Sequence, residues 1–194
     1  MKTLIFATNN KHKLQEVRQL LDGVVEIRSL EEMGLAGEIP ETSDTLQGNA
    51  LQKAQWVWDR THTDCFADDT GLEVDALDGR PGVYSARYAG EHCSFDDNVD
   101  KMLREMEDHD DRKARFRTVI CLMEAGQPRY FEGRIDGEIL RRRYGTDGFG
   151  YDPIFMPERF AVSFAEMPLE VKNQISHRGR AVQKLVDYLK SDNQ

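Results

Sequence analysis

The sequence is poor in cysteine, with three in 194 residues. Cys65, Cys93 and Cys121 are scattered, odd in number and form no C-x-x-C pair, which argues against a disulfide framework or a zinc site. Small buried thiols are the expected role. Long apolar runs are missing too: nothing approaches the roughly 20 residues that span a bilayer. The N-terminal apolar stretch, Leu4 to Ala7, is too short for a signal-peptide core and runs into polar Thr8, Asn9 and Asn10. A soluble, cytoplasmic chain with no membrane partner is the expectation. Positive charge is also in short supply, 26 Lys and Arg against 35 Asp and Glu, for a net charge of -9. That balance argues against a nucleic-acid partner, which requires a broad basic surface. Arg141-Arg142-Arg143 reads as a solvated edge, and His12, His62, His92 and His109 show no metal-ligand spacing. There is no internal repeat, linker or low-complexity tract.

What is present is 39% hydrophobic and 31% charged, the balance of a globular protein. One domain over residues 1–194 is expected, long enough to bury roughly 70% of its unfolded surface without a staple. Thr3 to Ala7 reads as a first strand, followed by a helix with Leu14, Val17, Leu20 and Leu21 on one face. Val24 to Arg28 reads as a second strand and Gly34 to Thr42 as a loop. Asp44 and Gln47 have capping-box spacing before a helix carrying Ala50, Ala54, Val57 and Trp58. Cys65 to Asp68 reads as a short strand ending in acid, and Val99, Met102, Leu103 and Met106 mark a third helix. Phe116 to Glu124 and Tyr130 to Ile139 read as a hairpin closed by Ala125-Gly126-Gln127-Pro128. Pro168, Ser176 and the face Val182, Leu185, Val186, Leu189 predict two closing helices. The fold class is α/β, a mixed central sheet flanked by helices.

Four segments concentrate polar groups beyond what packing requires. Thr8-Asn9-Asn10-Lys11-His12-Lys13 lies at the carboxyl end of the first strand, where a helix N-terminus and two lysines favour an anion; an ordinary capped turn fits the same residues. Glu41-Thr42 lies in a loop. Asp68-Asp69-Thr70-Gly71 follows a short strand, with Glu73 and Asp75 soon after. Adjacent aspartates on a tight turn can divide the labour, one ligating metal and one orienting water, because Mg²⁺ takes a few carboxylates and otherwise keeps water and substrate phosphates; a solvated acidic turn is the plainer alternative. Gly148-Phe149-Gly150-Tyr151-Asp152-Pro153, with Lys172 and Ser176-His177-Arg178-Gly179, offers an aromatic face and hydrogen-bond donors, the requirements for holding a purine. Taken singly, Phe149 fits a core position and His177-Arg178 a helix start.

In this order the segments resemble the inosine triphosphate pyrophosphatase family, the dITP/XTP pyrophosphatases. The matching stretches are ATNNKHK (7–13), ETSDTLQGNALQKA (41–54), ADDTGLEVDALDGRPGVYSARYAG (67–90), GTDGFGYDPIF (145–155) and SHRGRA (176–181), which together reach across essentially the whole chain. The resemblance implies an elongated two-lobed fold, a homodimer, and Mg²⁺-dependent hydrolysis of ITP, dITP and XTP to the monophosphate and pyrophosphate. By the same resemblance Thr8, Asn9, Asn10, Lys11, His12 and Lys13 would cradle the triphosphate, and Glu41 and Asp69 would hold the metal. Asp69 would also be the general base, assisted by Asp68. Thr70 would touch substrate, while Phe149, Gly150, Tyr151, Asp152, Lys172, His177 and Arg178 would surround the base and neighbouring phosphates. The family often has glycine where Asn9 stands and serine where Thr70 stands. Two rival activities compete with this one, a phosphomonoester phosphatase and a nucleotide sensor without catalysis. Orthophosphate as product marks the first, and the three acids Glu41, Asp68 and Asp69 argue against the second.

Overall fold

The computed structural model describes residues 1–191. Among these residues the strands are β1 (Thr3–Phe6), β2 (Glu26–Arg28), β3 (Cys65–Val74), β4 (Pro81–Gly82), β5 (Lys113–Glu124), β6 (Gln127–Ile139) and β7 (Phe155–Pro157). The helices are α1 (Lys11–Leu20), α2 (Leu46–Thr61), α3 (Phe95–Glu105), α4 (Leu169–Ile175) and α5 (His177–Ser191). The sheet order is β2-β1-β3-β5-β6-β7, with β4 beside β3. β1 runs parallel to β2 and β3, whereas β4 on β3 and β7 on β6 are antiparallel, so the sheet is mixed as expected. No helix of the described residues is long and apolar enough to cross a membrane, and the three cysteines are free.

The chain divides into two compact units. The first comprises Met1–Asp69, Thr118–Gly133 and Arg178 onward. Its sheet residues alternate between two apolar layers because successive strand side chains point to opposite faces. Leu4, Phe6 and Phe66 pack with Val17 of α1, with Leu21 just after it, and with Val182, Leu185 and Leu189 of α5. Ile5, Ala7, Cys65 and Ala67 face Ala50, Ala54 and Val57 of α2. The second unit, Thr70–Arg117 and Arg134–His177, has its own core, in which Leu72, Val74, Phe116 and Ile135 meet Val99 and Met102 of α3.

Three local expectations are corrected. β3 does not end at Asp68 but continues to Val74, so the two aspartates lie within an extended strand and not on a turn. The cap of α2 is Thr45, whose hydroxyl accepts from the Gly48 N–H, and not Asp44. The β5–β6 hairpin turns on two residues, Ala125 and Gly126, both with positive φ (47° and 78°). Such a two-residue turn matches the twist of its strands, and Gln127 and Pro128 already belong to β6.

Candidate active site

The extended course of β3 decides the chemistry of the first unit, since neighbouring residues on a strand face opposite ways. Asp68 points to the α1 and α5 side with Phe66, and Asp69 to the α2 side with Cys65 and Ala67. The two carboxylates are therefore separated by the sheet and acquire different partners.

On the first face, Asp68 Oδ1 lies 3.1 Å from Lys13 Nζ and Oδ2 accepts from Arg178 Nε at 2.9 Å. Arg178 Nη1 donates to Glu16 Oε2 at 2.5 Å. Arg178 and Asp68 are essentially inaccessible to solvent, at 1% and 2%. Burial alone would favour the neutral acid, but the charges of Lys13, Arg178 and Lys53 outweigh it and hold Asp68 well below the usual carboxylate range. Burial likewise opposes the charge on Arg178, and Asp68 with Glu16 more than restores it. The Arg178 guanidinium thus faces two carboxylates inside the fold.

On the second face, Asp69 Oδ2 accepts from Asn49 Nδ2 at 3.2 Å, and Oδ1 lies 3.7 Å from Lys53 Nζ. The same ammonium donates to Glu41 Oε1 at 2.5 Å. One cation thus serves both carboxylates, which lie within the sum of those two distances of each other. Burial pushes the Asp69 carboxyl upward, Lys53 and Lys13 pull it down, and Glu41 adds to the rise. The net direction is up, because burial with Glu41 outweighs the two lysines.

The α1 N-terminus is closed by its own residues. Asn10 Oδ1 accepts from the His12 and Lys13 N–H groups at 3.0 and 3.1 Å, and Thr8 Oγ1 accepts from the Asn10 N–H. Those two helix amides, expected to face an anion, are capped by a side chain. Asn9, Lys11 and His12 are exposed, and the Asn9 amide donates to the Gly37 carbonyl. Lys13 carries the segment's charge to the acidic cluster.

In the second unit, Lys172 Nζ donates to Asp152 Oδ2 at 2.7 Å and stands 4.9 Å from the centre of the Phe149 ring. Asp152 Oδ2 also accepts from the Phe149 N–H at 3.0 Å. A side chain at Gly148 would meet that oxygen at 2.2 Å, so the loop needs glycine to close on Asp152. Gly150, at φ 60°, completes the turn. Tyr151 is buried and donates to the Ser85 carbonyl, and His177 is buried with its ring stacked on Phe116 at 4.6 Å. Thr70 is half-buried in β3, next in sequence to Asp69.

Three residues of the first unit escape sequence reasoning: Glu16, Asn49 and Lys53. Each is a polar side chain at or beside a helix's apolar stripe. For Asn49 and Lys53 the readable signal is their place on the stripe of α2 marked by Ala50, Ala54 and Val57, not their residue type.

Among the described residues no three His, Cys, Asp or Glu side chains converge as a metal cage. Magnesium does not need one: it is held by one or two carboxylates and completes its shell with water and substrate phosphates. Glu41 and Asp69 offer hard oxygen donors that already share a cation. The pair fits such an ion.

The family model described as the Ham1 family matches residues 4–188. The chain is 57% identical over 190 residues to a dITP/XTP pyrophosphatase of Porphyromonas gingivalis, covering 97% of this chain and 98% of that one. It is 54% identical over 186 residues to a dITP/XTP pyrophosphatase of Flavobacterium johnsoniae, with 96% and 97% covered. Among solved structures, a Ham1 protein from Coxiella burnetii superposes with a TM-score of 0.90 at 37% identity, covering 98% of this chain and 100% of the other. The Staphylococcus aureus Ham1 protein gives 0.88 at 35% identity with the same coverage.

Proposed function

The chain belongs to the Ham1 family, and from that premise we propose that it hydrolyses non-standard purine nucleoside triphosphates (ITP, dITP and XTP) to the monophosphate and pyrophosphate, keeping them out of DNA and RNA. The observation that carries the site assignment is the shared cation: Lys53 binds Glu41 and Asp69 at once, so two acids far apart in sequence converge on one positive charge.

Water attacks the α-phosphorus and pyrophosphate leaves. Asp69 accepts the water's proton as general base. Asp68, fixed as an anion, holds Lys13 and Arg178 in place and assists. Lys13 and Lys53 meet the phosphate oxygens, supplying charge in a site where little water competes. Glu41 and Asp69 would hold a magnesium ion, whose charge would offset that of the phosphates. Thr70 offers its hydroxyl to the substrate.

Phe149 supplies a face for a flat base, and the Lys172 ammonium, 4.9 Å from the centre of that ring, is the donor beside it. A donor aimed at O6 favours hypoxanthine and xanthine, whereas adenine presents its own donor there. A polar contact of this kind discriminates by roughly 10⁴ or more. A cytoplasmic homodimer completes the proposal, on the family resemblance alone; light scattering reads the dimer.

The test is a panel of ITP, dITP, XTP, ATP and GTP assayed for pyrophosphate with and without Mg²⁺. Pyrophosphate equal to monophosphate, from the keto bases and only with metal, is expected. Orthophosphate as the product, as from a phosphomonoester phosphatase, or equal rates on ATP, would overturn the reading.

A further inference from the structure

Helix α2 holds the loop that carries Glu41 residue by residue. Asn49 Oδ1 accepts from the Ser43 N–H at 2.9 Å. Gln52 exchanges two hydrogen bonds with Thr42, its Oε1 accepting from the backbone N–H at 2.8 Å and its Nε2 donating to Oγ1 at 2.7 Å. Lys53 takes Glu41. Positions 49, 52 and 53 share one helix face at spacings of three and four, and they meet loop residues 43, 42 and 41 in reverse order. The approach is tight enough that a side chain at Gly48 would meet Ser43 Oγ at 1.9 Å.

Asn49 differs from Gln52, both of whose amide ends go to Thr42, because its own two ends reach different elements, the Ser43 backbone in the loop and Asp69 in β3. It is 1% exposed. A backbone N–H can only donate and an ionised carboxylate can only accept, so the amide has one allowed orientation, oxygen toward Ser43 and nitrogen toward Asp69 Oδ2. Holding Oδ2 leaves Oδ1 as the oxygen nearest Lys53 and the Glu41 pair.

We infer that Asn49 is a positioning residue that sets the spacing between Glu41 and Asp69 by gripping the Glu41 loop with one end of its amide and Asp69 with the other. It acts through those carboxylates and touches no reacting atom. The inference rests on the proposal that the two acids hold Mg²⁺. Its chemical consequence is that affinity for the ion and the orientation of the general base depend on a residue that ligates nothing.

The experiment compares wild type with Asn49→Leu, which keeps the branching at Cγ but is larger, a better helix former and makes neither bond, and with Asn49→Ala, which removes the amide without added bulk. Calorimetry measures Mg²⁺ affinity without nucleotide, steady-state kinetics separates kcat from KM for ITP, and circular dichroism checks folding. In a folded variant the Mg²⁺ Kd should rise at least about tenfold and kcat should fall at least about tenfold, with the ITP KM changing less than about threefold. Wild-type Mg²⁺ affinity and kcat in a folded variant would overturn the inference while leaving the proposed function intact. So would failure of both variants to fold, because Asn49 would then be a structural residue. Wild-type protein that binds no Mg²⁺ but still releases pyrophosphate would overturn the metal reading and this inference with it.

Discussion

Replacing Lys53 by methionine keeps an unbranched apolar stem but removes the charge that Glu41 and Asp69 share. Breaking a buried ion pair by deleting one partner costs about 3–5 kcal/mol, because the remaining charge stays desolvated. The Glu41 side chain is 36% exposed, against 11% for Asp69. Water therefore relieves part of the loss, and the low end of that range, about 3 kcal/mol, applies. In a chain of this size each kcal/mol moves Tm by about 2–4 °C, so K53M should melt about 6–12 °C below wild type in metal-free buffer. Magnesium should then compensate. An ion at about a hundred times its Kd stabilises by about 2.7 kcal/mol, returning most of the loss in K53M. In wild type the same ion must contend with an ammonium already on both carboxylates and should raise Tm less. Differential scanning calorimetry in EDTA and in millimolar MgCl₂ reads all four states. A metal-free K53M as stable as wild type would refute the reasoning, as would a magnesium-induced gain no larger than that of wild type.

Asp69→Asn should lower ITP turnover by about 10²–10⁴-fold, the scale of general-base catalysis, with the Tm retained; near-normal turnover would remove Asp69 from the mechanism. Arg178→Met leaves Asp68 and Glu16 without their shared guanidinium and should lower stability by about 3–5 kcal/mol, read from the urea midpoint; an unchanged midpoint would mean that this buried pair adds nothing. Lys172→Met should narrow the ratio of ITP to ATP kcat/KM by at least about tenfold, and an unchanged ratio would exclude Lys172 from base recognition.

The apolar periodicity of α1, α2 and α5 made the helices legible, because one buried face leaves its mark on every turn. β3 was cut short because Thr70-Gly71 reads locally as a turn, although Leu72 and Val74 bury the strand's continuation in the second unit's core. That error mattered for chemistry. A turn would have placed Asp68 and Asp69 side by side, whereas the strand gives Asp68 to Lys13 and Arg178 and gives Asp69 to Lys53 and Asn49. Glu41 and Asp69 could be singled out from family motifs, but Glu16, Asn49 and Lys53 could not be found by residue type. Their importance lies in which buried partner they meet, and that is fixed by tertiary packing. The carboxylate partners of Arg178, Asp68 and Glu16, are fixed in the same way.

Hydrolysis of ITP in ¹⁸O-labelled water addresses the central chemistry most directly. Attack on the α-phosphorus, with Asp69 taking the proton, places one labelled oxygen in inosine monophosphate and none in pyrophosphate. Label in pyrophosphate, or in released orthophosphate, would contradict it.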